Sequence, residues 1–402
     1  MKIAISTNLF PPVISGTASY SYDICKALSN YGHEVFLIAP ELPGRTDFSD
    51  AGISDPSHVL ALPAWKIPSN PLIMGFSQLR SVIRPGTLGR VVDFLARHEV
   101  EFIYQQSHAF DTAIYTRLAA QRLGIPRAVA HHTNIAHPNK LFNFFLRWGE
   151  KIWLKNLYLK PDDLWICPDA FTLEYCTERF AGMPVANVTY GVSPFQHCDN
   201  PDVLREAEEI KKRHSPIIVS LGHVTNCRDR VDLIEALGLL KGTYPNIGLV
   251  VIGDTQVTYP LNKARELGLE YNVYFLGKRS RSEIRPFLDI ADLEAHWYFD
   301  ASTFGIATLE VMASGVCCLA SCDENCYGED LFKEGYHYGR VQEKNPADIA
   351  EKVNYFLQND RSRQDIGKNA ASFIESRYSW KTVAKHLTAE FEAYRKRCYT
   401  RR

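Results

Sequence analysis

The run from Asp300 to Glu310, with Ser302, Thr303, Phe304 and Gly305 between them, reads as a loop that opens a helix at Phe304-Gly305. It carries one carboxylate, Glu310, on the first turns of that helix. A glycine at a helix mouth lets backbone N–H groups approach a phosphate, and the helix dipole favours the negative charge. A carboxylate further along the same helix accepts hydrogen bonds from a sugar diol. Donors for a diphosphate and an acceptor for hydroxyls are what a nucleotide-sugar site needs. Ala313, Ser314 and Gly315 then lead into an apolar strand, Val316 to Ala320.

Other stretches carry matching groups. Phe10-Pro11-Pro12-Val13-Ile14-Ser15-Gly16-Thr17 lies between the first predicted strand and the first predicted helix. Its prolines stiffen the loop, and Gly16 allows close backbone approach before a helix mouth, again suited to phosphate. The alternative is a plain β–α turn. Val129-Ala130-His131-His132-Thr133-Asn134 ends a predicted strand. A neutral imidazole there can bond a sugar hydroxyl or a phosphate-side oxygen, and strand alternation sends His131 and His132 to opposite faces. In Gly222-His223-Val224-Thr225-Asn226-Cys227-Arg228-Asp229, Arg228 offers a cationic fork to phosphate oxygens. His223 carries charge only when protonated. An exposed arginine beside a turn histidine is the alternative. Gly253-Asp254 and Gly277-Lys278-Arg279 are two more strand ends that point at one cleft.

These groups need a scaffold that gathers strand ends. Short apolar runs alternate with helical patterns throughout, which points to parallel sheets flanked by helices. The first half has strand candidates at Lys2–Thr7, Glu34–Ala39, His58–Leu62, Glu101–Gln105, Arg127–His131, Leu164–Cys167 and Asn187–Tyr190. The second half has them at Ile217–Leu221, Gly248–Ile252, Val273–Leu276, Leu293–Trp297, Val316–Ala320 and Tyr338–Val341. Helices fit between them, for example Ala18–Tyr31, Thr112–Leu123, Arg230–Leu240 and Ala347–Leu357. The polar segment Ser193–Pro201 reads as a linker. The fold class is therefore α/β: two Rossmann-like domains, 1–192 and 202–380, whose sheets face a central cleft, followed by a C-terminal helix over 381–402. A chain of 402 residues is too long for one core, which agrees.

Composition excludes several classes. A net charge of −1 argues against nucleic-acid binding, which needs a basic excess. No apolar run reaches the length of a spanning helix, and the N-terminus enters a strand directly. The ten cysteines are then expected as reduced thiols in a cytoplasmic protein. Cys317, Cys318, Cys322 and Cys326 cluster, but without a Cys-x-x-Cys pair or a histidine group they read as a buried strand and loop rather than a metal site. The absence of Gly-x-Gly-x-x-Gly argues against NAD or FAD.

The segment Asp300–Glu310 resembles the donor-site signature of the retaining glycosyltransferases of family 4, Glu-x-Phe-Gly-x-x-x-x-Glu, with Ser302 in place of the first Glu. Phe10–Thr17 is similar to that family's Pro-Pro-x-x-x-Gly-Gly, and Gly32-His33-Glu34-Val35 to its Gly-His-Glu-Val. Gly222–Asp229 resembles Gly-Arg-x-x-x-x-Lys-Gly, with His223 for the Arg and Arg228 for the Lys. Tyr378-Ser379-Trp380 matches an aromatic-Ser-Trp element that precedes a helix crossing back to the first domain. The resemblance implies the B architecture and a nucleotide diphosphate sugar, UDP- or GDP-linked, bound mainly by the second domain. It makes Glu310 the ribose partner, Lys278 and Arg279 neighbours of the base, and His132 a cleft histidine. With Arg228 and Glu310, His132 forms the expected catalytic set. Diphosphate neutralisation falls to Arg228, helix mouths and backbone N–H groups, with no metal and no cofactor.

Ser302 leaves three readings: an unusual donor sugar, Asp300 reaching in instead, or a degenerate donor site. The last makes the chain a non-catalytic nucleotide-sugar or glycan-binding relative. A sugar-nucleotide epimerase or phosphorylase on a similar fold is a further alternative. Expected acceptors are a glycan, a lipid-linked or a small molecule. Asn139–Lys160 is basic and aromatic, a composition suited either to an interfacial helix at the inner membrane face or to a helix packed on its sheet. Trp65–Arg97, with several arginines, is a second candidate for acceptor or membrane contact.

Overall fold

Runs such as Ile3-Ala4-Ile5, Val35–Ala39 and Ile217–Val219 have no polar alternation. They must be covered on both faces, the condition of a strand inside a parallel sheet. The computed structural model describes residues 1–13, 15–67, 79–108, 110–132, 140–150, 163–180, 182–226, 228–297, 304–326 and 332–400. The chain divides into two units, Met1–Gly191 with Trp380–Arg402, and Val192–Ser379.

The first unit holds β1 (Lys2–Ser6), β2 (Glu34–Pro40), β3 (Val59–Leu62), β4 (Trp65–Lys66), β5 (Arg80–Ser81), β6 (Phe102–Gln106), β7 (Arg127–Ala130), β8 (Leu164–Cys167) and β9 (Val185–Asn187). Seven of these form one parallel sheet in the order β3-β2-β1-β6-β7-β8-β9, and β4 and β5 make a small antiparallel pair. β9 lies earlier than the strand expected at Asn187–Tyr190. Its partner β8 ends at Cys167, opposite Asn187, so the ladder has nothing further to pair with.

The C-terminal helix, Trp380–Thr400, belongs to this unit. Phe391 stacks on Phe102 at 4.4 Å and His33 Nε2 lies 2.8 Å from Thr388 Oγ1. Arg395 pairs with Glu101 at 2.6 Å. Trp380 closes on Gly191 and packs 5.5 Å from the Tyr20 ring.

The second unit holds β10 (Ile217–Leu221), β11 (Gly248–Ile252), β12 (Val273–Phe275), β13 (Leu293–Ala295), β14 (Cys318–Ala320) and β15 (Gly339–Arg340). They form a six-stranded parallel sheet in the order β12-β11-β10-β13-β14-β15. Alternate residues fill two cores. Ile217, Val219, Leu221, Val250 and Ile252 enter one, while Ile218, Leu249, Val251 and Leu293 enter the other. The segment read as a linker is shorter than expected. Pro201 already starts the helix Pro201–Arg213, with Asn200 as its cap accepting the Asp202 N–H at 3.1 Å. Proline at the first helical position loses no bond there.

Gly191 has no space for a side chain, because an added Cβ would lie 2.3 Å from the Trp380 ring. Gly191→Ala is expected to destabilise the protein by about 1–3 kcal/mol through overpacking, read from urea denaturation by tryptophan fluorescence. An unchanged midpoint would show that the ring yields without cost.

Candidate functional site

The order of the second sheet reverses between β10 and β13. At such a switch point the connections leave in opposite directions, and a crevice opens at the carboxyl ends of the strands. β10 ends in Gly222, at φ +137°, and β11 in Gly253, at φ +151°. A Cβ on Gly253 would sit 2.3 Å from the Gly222 carbonyl oxygen. The two strand ends therefore touch backbone to backbone, closed by Gly222 N–H to Ile252 O at 2.8 Å and Val224 N–H to Asp254 O at 2.9 Å.

His223 follows directly. Its Nδ1 accepts the Asp254 backbone N–H at 3.0 Å, so the ring proton sits on Nε2. Burial, then the neighbouring Arg228, holds its pKa below the ordinary value. His223 is a neutral donor, where the resembling family has a permanent cation. Arg228 closes a tight turn with its N–H on Thr225 O at 3.1 Å, and its side chain is half-buried. Behind it stands Arg230, buried and at φ +73°. Such a backbone costs about 1–3 kcal/mol. The guanidinium holds it by donating to Ser220 Oγ at 2.6 Å, Arg228 O at 2.7 Å and Gly222 O at 3.2 Å.

The last strand residues of β13 and the residue after it add a buried polar pair. Glu294 and His296 are two apart, so they share a face. His296 Nδ1 lies 2.9 Å from Glu294 Oε1 and 3.1 Å from Thr308 Oγ1. With the carboxylate as acceptor, Nδ1 carries the proton. Burial lowers the His296 pKa against the pull of Glu294, so the ring is neutral. Thr308 lies on the helix Ile306–Ala313. A Cβ on Gly222 would sit 3.6 Å from His296 Nε2. One imidazole thus reaches from the first turn of the helix to the Gly222 loop.

That helix starts from Gly305, which is extended at φ −72°, ψ 156°, with no side chain among the described residues capping it. Its opening N–H groups form the positive end of the dipole. Phe304 is only 4% exposed and packs on Phe332 and Tyr338, so it anchors the helix start in the core. Asp300, Ser302 and Thr303 lie outside the described residues. Glu310 pairs with Arg281, which also donates to Ser193 O at 2.6 Å and lies 4.9 Å over the Phe195 ring. Lys278 pairs with Asp254 at 3.4 Å. Arg279 is held by Glu206 of the helix Pro201–Arg213 at 2.8 Å. Cys317, Cys318, Cys322 and Cys326 are all buried, and burial pushes the Cys317 thiol up to about 12.

In the first unit the order reverses between β1 and β6. Gly16 is exposed and begins the helix Gly16–Asn30, but Ser15 Oγ already accepts the Ala18 N–H at 3.1 Å. His132 follows β7, with Nε2 3.0 Å from Gln106 Oε1 and its ring against the edge of Tyr20 at 4.8 Å. Burial pushes its pKa down to about 4. His131 faces the other way, wholly buried between His108 and Tyr175. Sequence reading missed Arg230, His296, Arg281 and Tyr20. Two polar residues at a spacing of two, at the end of an apolar strand, could have marked Glu294 and His296. Nothing local marks Arg281 as the partner of Glu310.

The depressed His132 pKa has a defined consequence. The unfolded chain takes up the proton near 6.5 and the folded one near 4. The stability of the neutral ring is complete above 6.5 and is lost as pH falls through that window. His132→Gln removes this uptake, so its denaturation midpoint should fall less than the wild-type midpoint between pH 6.5 and 4. Equal losses would remove His132 as the titrating group.

The Glycosyltransferase Family 4 model matches residues 14–189, and the Glycosyl transferases group 1 model matches residues 204–373. The chain is 23% identical to the alpha-monoglucosyldiacylglycerol synthase of Acholeplasma laidlawii, over 100% of this chain and 96% of that enzyme. It is 26% identical over 240 residues to the lipopolysaccharide 1,2-N-acetylglucosaminetransferase of Salmonella typhimurium, a match spanning 56% of this chain and 61% of that one. The crystal structure of Anabaena Alr3699/HepE in complex with UDP and glucose shares the fold, with a TM-score of 0.71 at 18% identity over 98% of this chain and 100% of that chain. The chain belongs with the family 4 glycosyltransferases, built on the B architecture of two Rossmann-like domains.

Proposed function

We propose that this glycosyltransferase takes its sugar from a UDP- or GDP-linked donor held by the second unit, works with retention at the anomeric carbon, and needs neither metal nor cofactor. The observation that carries this reading is His296. His296 bonds Thr308 on the first turn of the helix Ile306–Ala313, and the charge of Arg228 acts on both His296 and His223, so these groups share one neighbourhood. A diphosphate there would meet one permanent cation, one neutral N–H and a helix dipole. Each charge-assisted bond contributes about 1.5–3 kcal/mol, and donors fixed in place stabilise the charge that develops on leaving. Glu310, on the same helix, takes the ribose diol. His132, neutral, suits a sugar hydroxyl.

The chemistry is a same-face displacement. The bond from the anomeric carbon to the diphosphate oxygen breaks, and the acceptor oxygen bonds to that carbon on the same face. The acceptor proton passes to the departing diphosphate. The two curated relatives are named for a glycolipid and a lipopolysaccharide product, which supports a lipid-linked glycan as the acceptor class.

A membrane surface as partner rests on its own observation. On the helix Lys140–Gly149, Leu141, Phe144, Phe145 and Trp148 are 57–69% exposed at positions that form one stripe. Its end is fixed by the buried Glu150, bonded to Tyr175 and 3.2 Å from His108. The surrounding sequence has Lys140, Arg147, Lys151, Lys155 and Lys160 against that one internal carboxylate. An apolar stripe in basic sequence suits an anionic bilayer. Among the described residues no helix is long and apolar enough to cross a membrane, and the described cysteines are free thiols. The reading is a peripheral enzyme at the cytoplasmic face.

Calorimetric titration with UDP, GDP, ADP and TDP, then with their sugar conjugates, should give one clear nucleotide and one preferred sugar. Glu310→Ala should weaken that nucleotide about tenfold or more, and EDTA should leave transfer intact. Silence across the panel from folded protein would instead favour a degenerate donor site. Rescue of an EDTA-inhibited enzyme by a divalent cation would end the metal-free reading. In sedimentation with phosphatidylglycerol vesicles, Phe144→Ser with Trp148→Ser should release the protein to the supernatant. Undiminished pelleting would discard the stripe as the contact.

A further inference from the structure

We infer that Gln106 is a positioning residue that fixes the tautomer of His132, so that the ring meets a sugar hydroxyl through Nδ1 and only as an acceptor. The inference rests on the reading of His132 as the partner of a sugar hydroxyl. β6 and β7 are neighbours in the first sheet, with Tyr104 opposite Ala128 and Gln106 opposite Ala130. Strand alternation puts Tyr104 and Gln106 on one face, with the two alanines beside them. Alanines there leave the room that the longer side chains fill. His132 comes two residues after Ala130 and returns to this face, where its Nε2 lies 3.0 Å from Gln106 Oε1.

An amide oxygen only accepts, so Nε2 carries the ring proton. The amide is oriented from its other side. Burial, then Tyr20, pushes the Tyr104 pKa up, and Gln106 opposes them as a hydrogen-bond donor does. Its Nε2 is buried and completes no hydrogen bond, so this contact is a long one, but it leaves Oε1 for the histidine. Tyr104 is held in turn by the Tyr20 hydroxyl at 3.2 Å and the Phe391 ring at 5.0 Å. With Nε2–H engaged, Nδ1 is the nitrogen that remains. Among the described residues none bonds it, and His132 is partly open to solvent. A neutral imidazole whose proton is turned away presents a lone pair. It takes an O–H as a donor and repels a group that has lone pairs and no proton, such as fluorine.

The test reads the tautomer and then its consequence. With histidine nitrogens isotopically labelled, the NMR signals of His132, identified by their loss in His132→Gln, should show a protonated Nε2 and a bare Nδ1 at neutral pH. Gln106→Met removes the amide and should give the Nδ1–H form a large share. Gln106→Glu keeps an acceptor oxygen and should retain the wild-type tautomer. Nδ1–H in wild type, or the wild-type tautomer in folded Gln106→Met, overturns the inference. Calorimetric titration then uses the nucleotide sugar that binds wild type best, with its deoxy and deoxyfluoro forms at each ring hydroxyl. At one ring position wild type should bind the fluorinated sugar about five- to tenfold more weakly than the hydroxyl sugar, and more weakly than the deoxy sugar. Gln106→Met should level or reverse that order at the same position. Fluorine preferred over hydrogen by wild type there overturns the inference. Insensitivity of every position to His132→Ala removes the sugar-hydroxyl reading, and the inference with it, even where the tautomer holds. Wild type that binds no nucleotide sugar removes the donor-site reading itself, a failure the NMR signals separate from that of the tautomer.

Discussion

The second unit depends on one buried imidazole. His296 is neutral because burial outweighs the pull of Glu294, and its Nδ1 proton is shared between that carboxylate and Thr308. The ring has only one orientation that satisfies both partners. In that orientation it bonds the first turn of the helix Ile306–Ala313 and lies near Gly222, where an added Cβ would sit 3.6 Å from its Nε2. Gly253 completes the arrangement, since no side chain fits against the Gly222 carbonyl. Arg230 braces the same loop from within.

The electrostatics follow from this packing. His132, His223 and His296 all have lowered pKa values, and in each case burial is the largest cause. These histidines therefore serve as oriented hydrogen-bonding groups. Permanent positive charge at the second switch point comes from Arg228 and Arg230, and partial charge from a helix start that no side chain among the described residues caps. A set of this kind needs no protonation step to suit an anion, and its groups are oriented in advance.

Much of the architecture was legible in the residues. The unbroken apolar runs and their helical spacers required two parallel sheets, and most expected strands lie within one or two residues of those found. Boundaries moved where pairing decided them. β9 shifted because β8 ends opposite Asn187, and the helix at Pro201 consumed part of the expected linker. Among the candidate site residues, the glycines, His132, Arg228 and Glu310 stand out in the sequence because their chemistry is unusual at strand and helix ends. Arg281, Arg230 and Tyr20 were not, because nothing in their own neighbourhoods distinguishes them from ordinary surface or core residues. Phe304 was visible for the wrong reason. It stands next to the helix mouth in sequence, yet its ring is needed by the core around Phe332 and Tyr338.

The sequence by itself determined the alternation of strands and helices, the glycines that let backbones meet, and the presence of a carboxylate on one helix and a cation after one strand. These are local properties, set by side-chain size, period and backbone freedom. Only the tertiary structure decided which protonation states those groups hold and which partners orient them. His223 became a neutral donor through an N–H of Asp254, and Glu310 acquired an arginine across a chain separation that no local pattern encodes. Desolvation and hydrogen-bond geometry depend on what packs nearby in space, and that is settled only when the strands have found their order in the sheet.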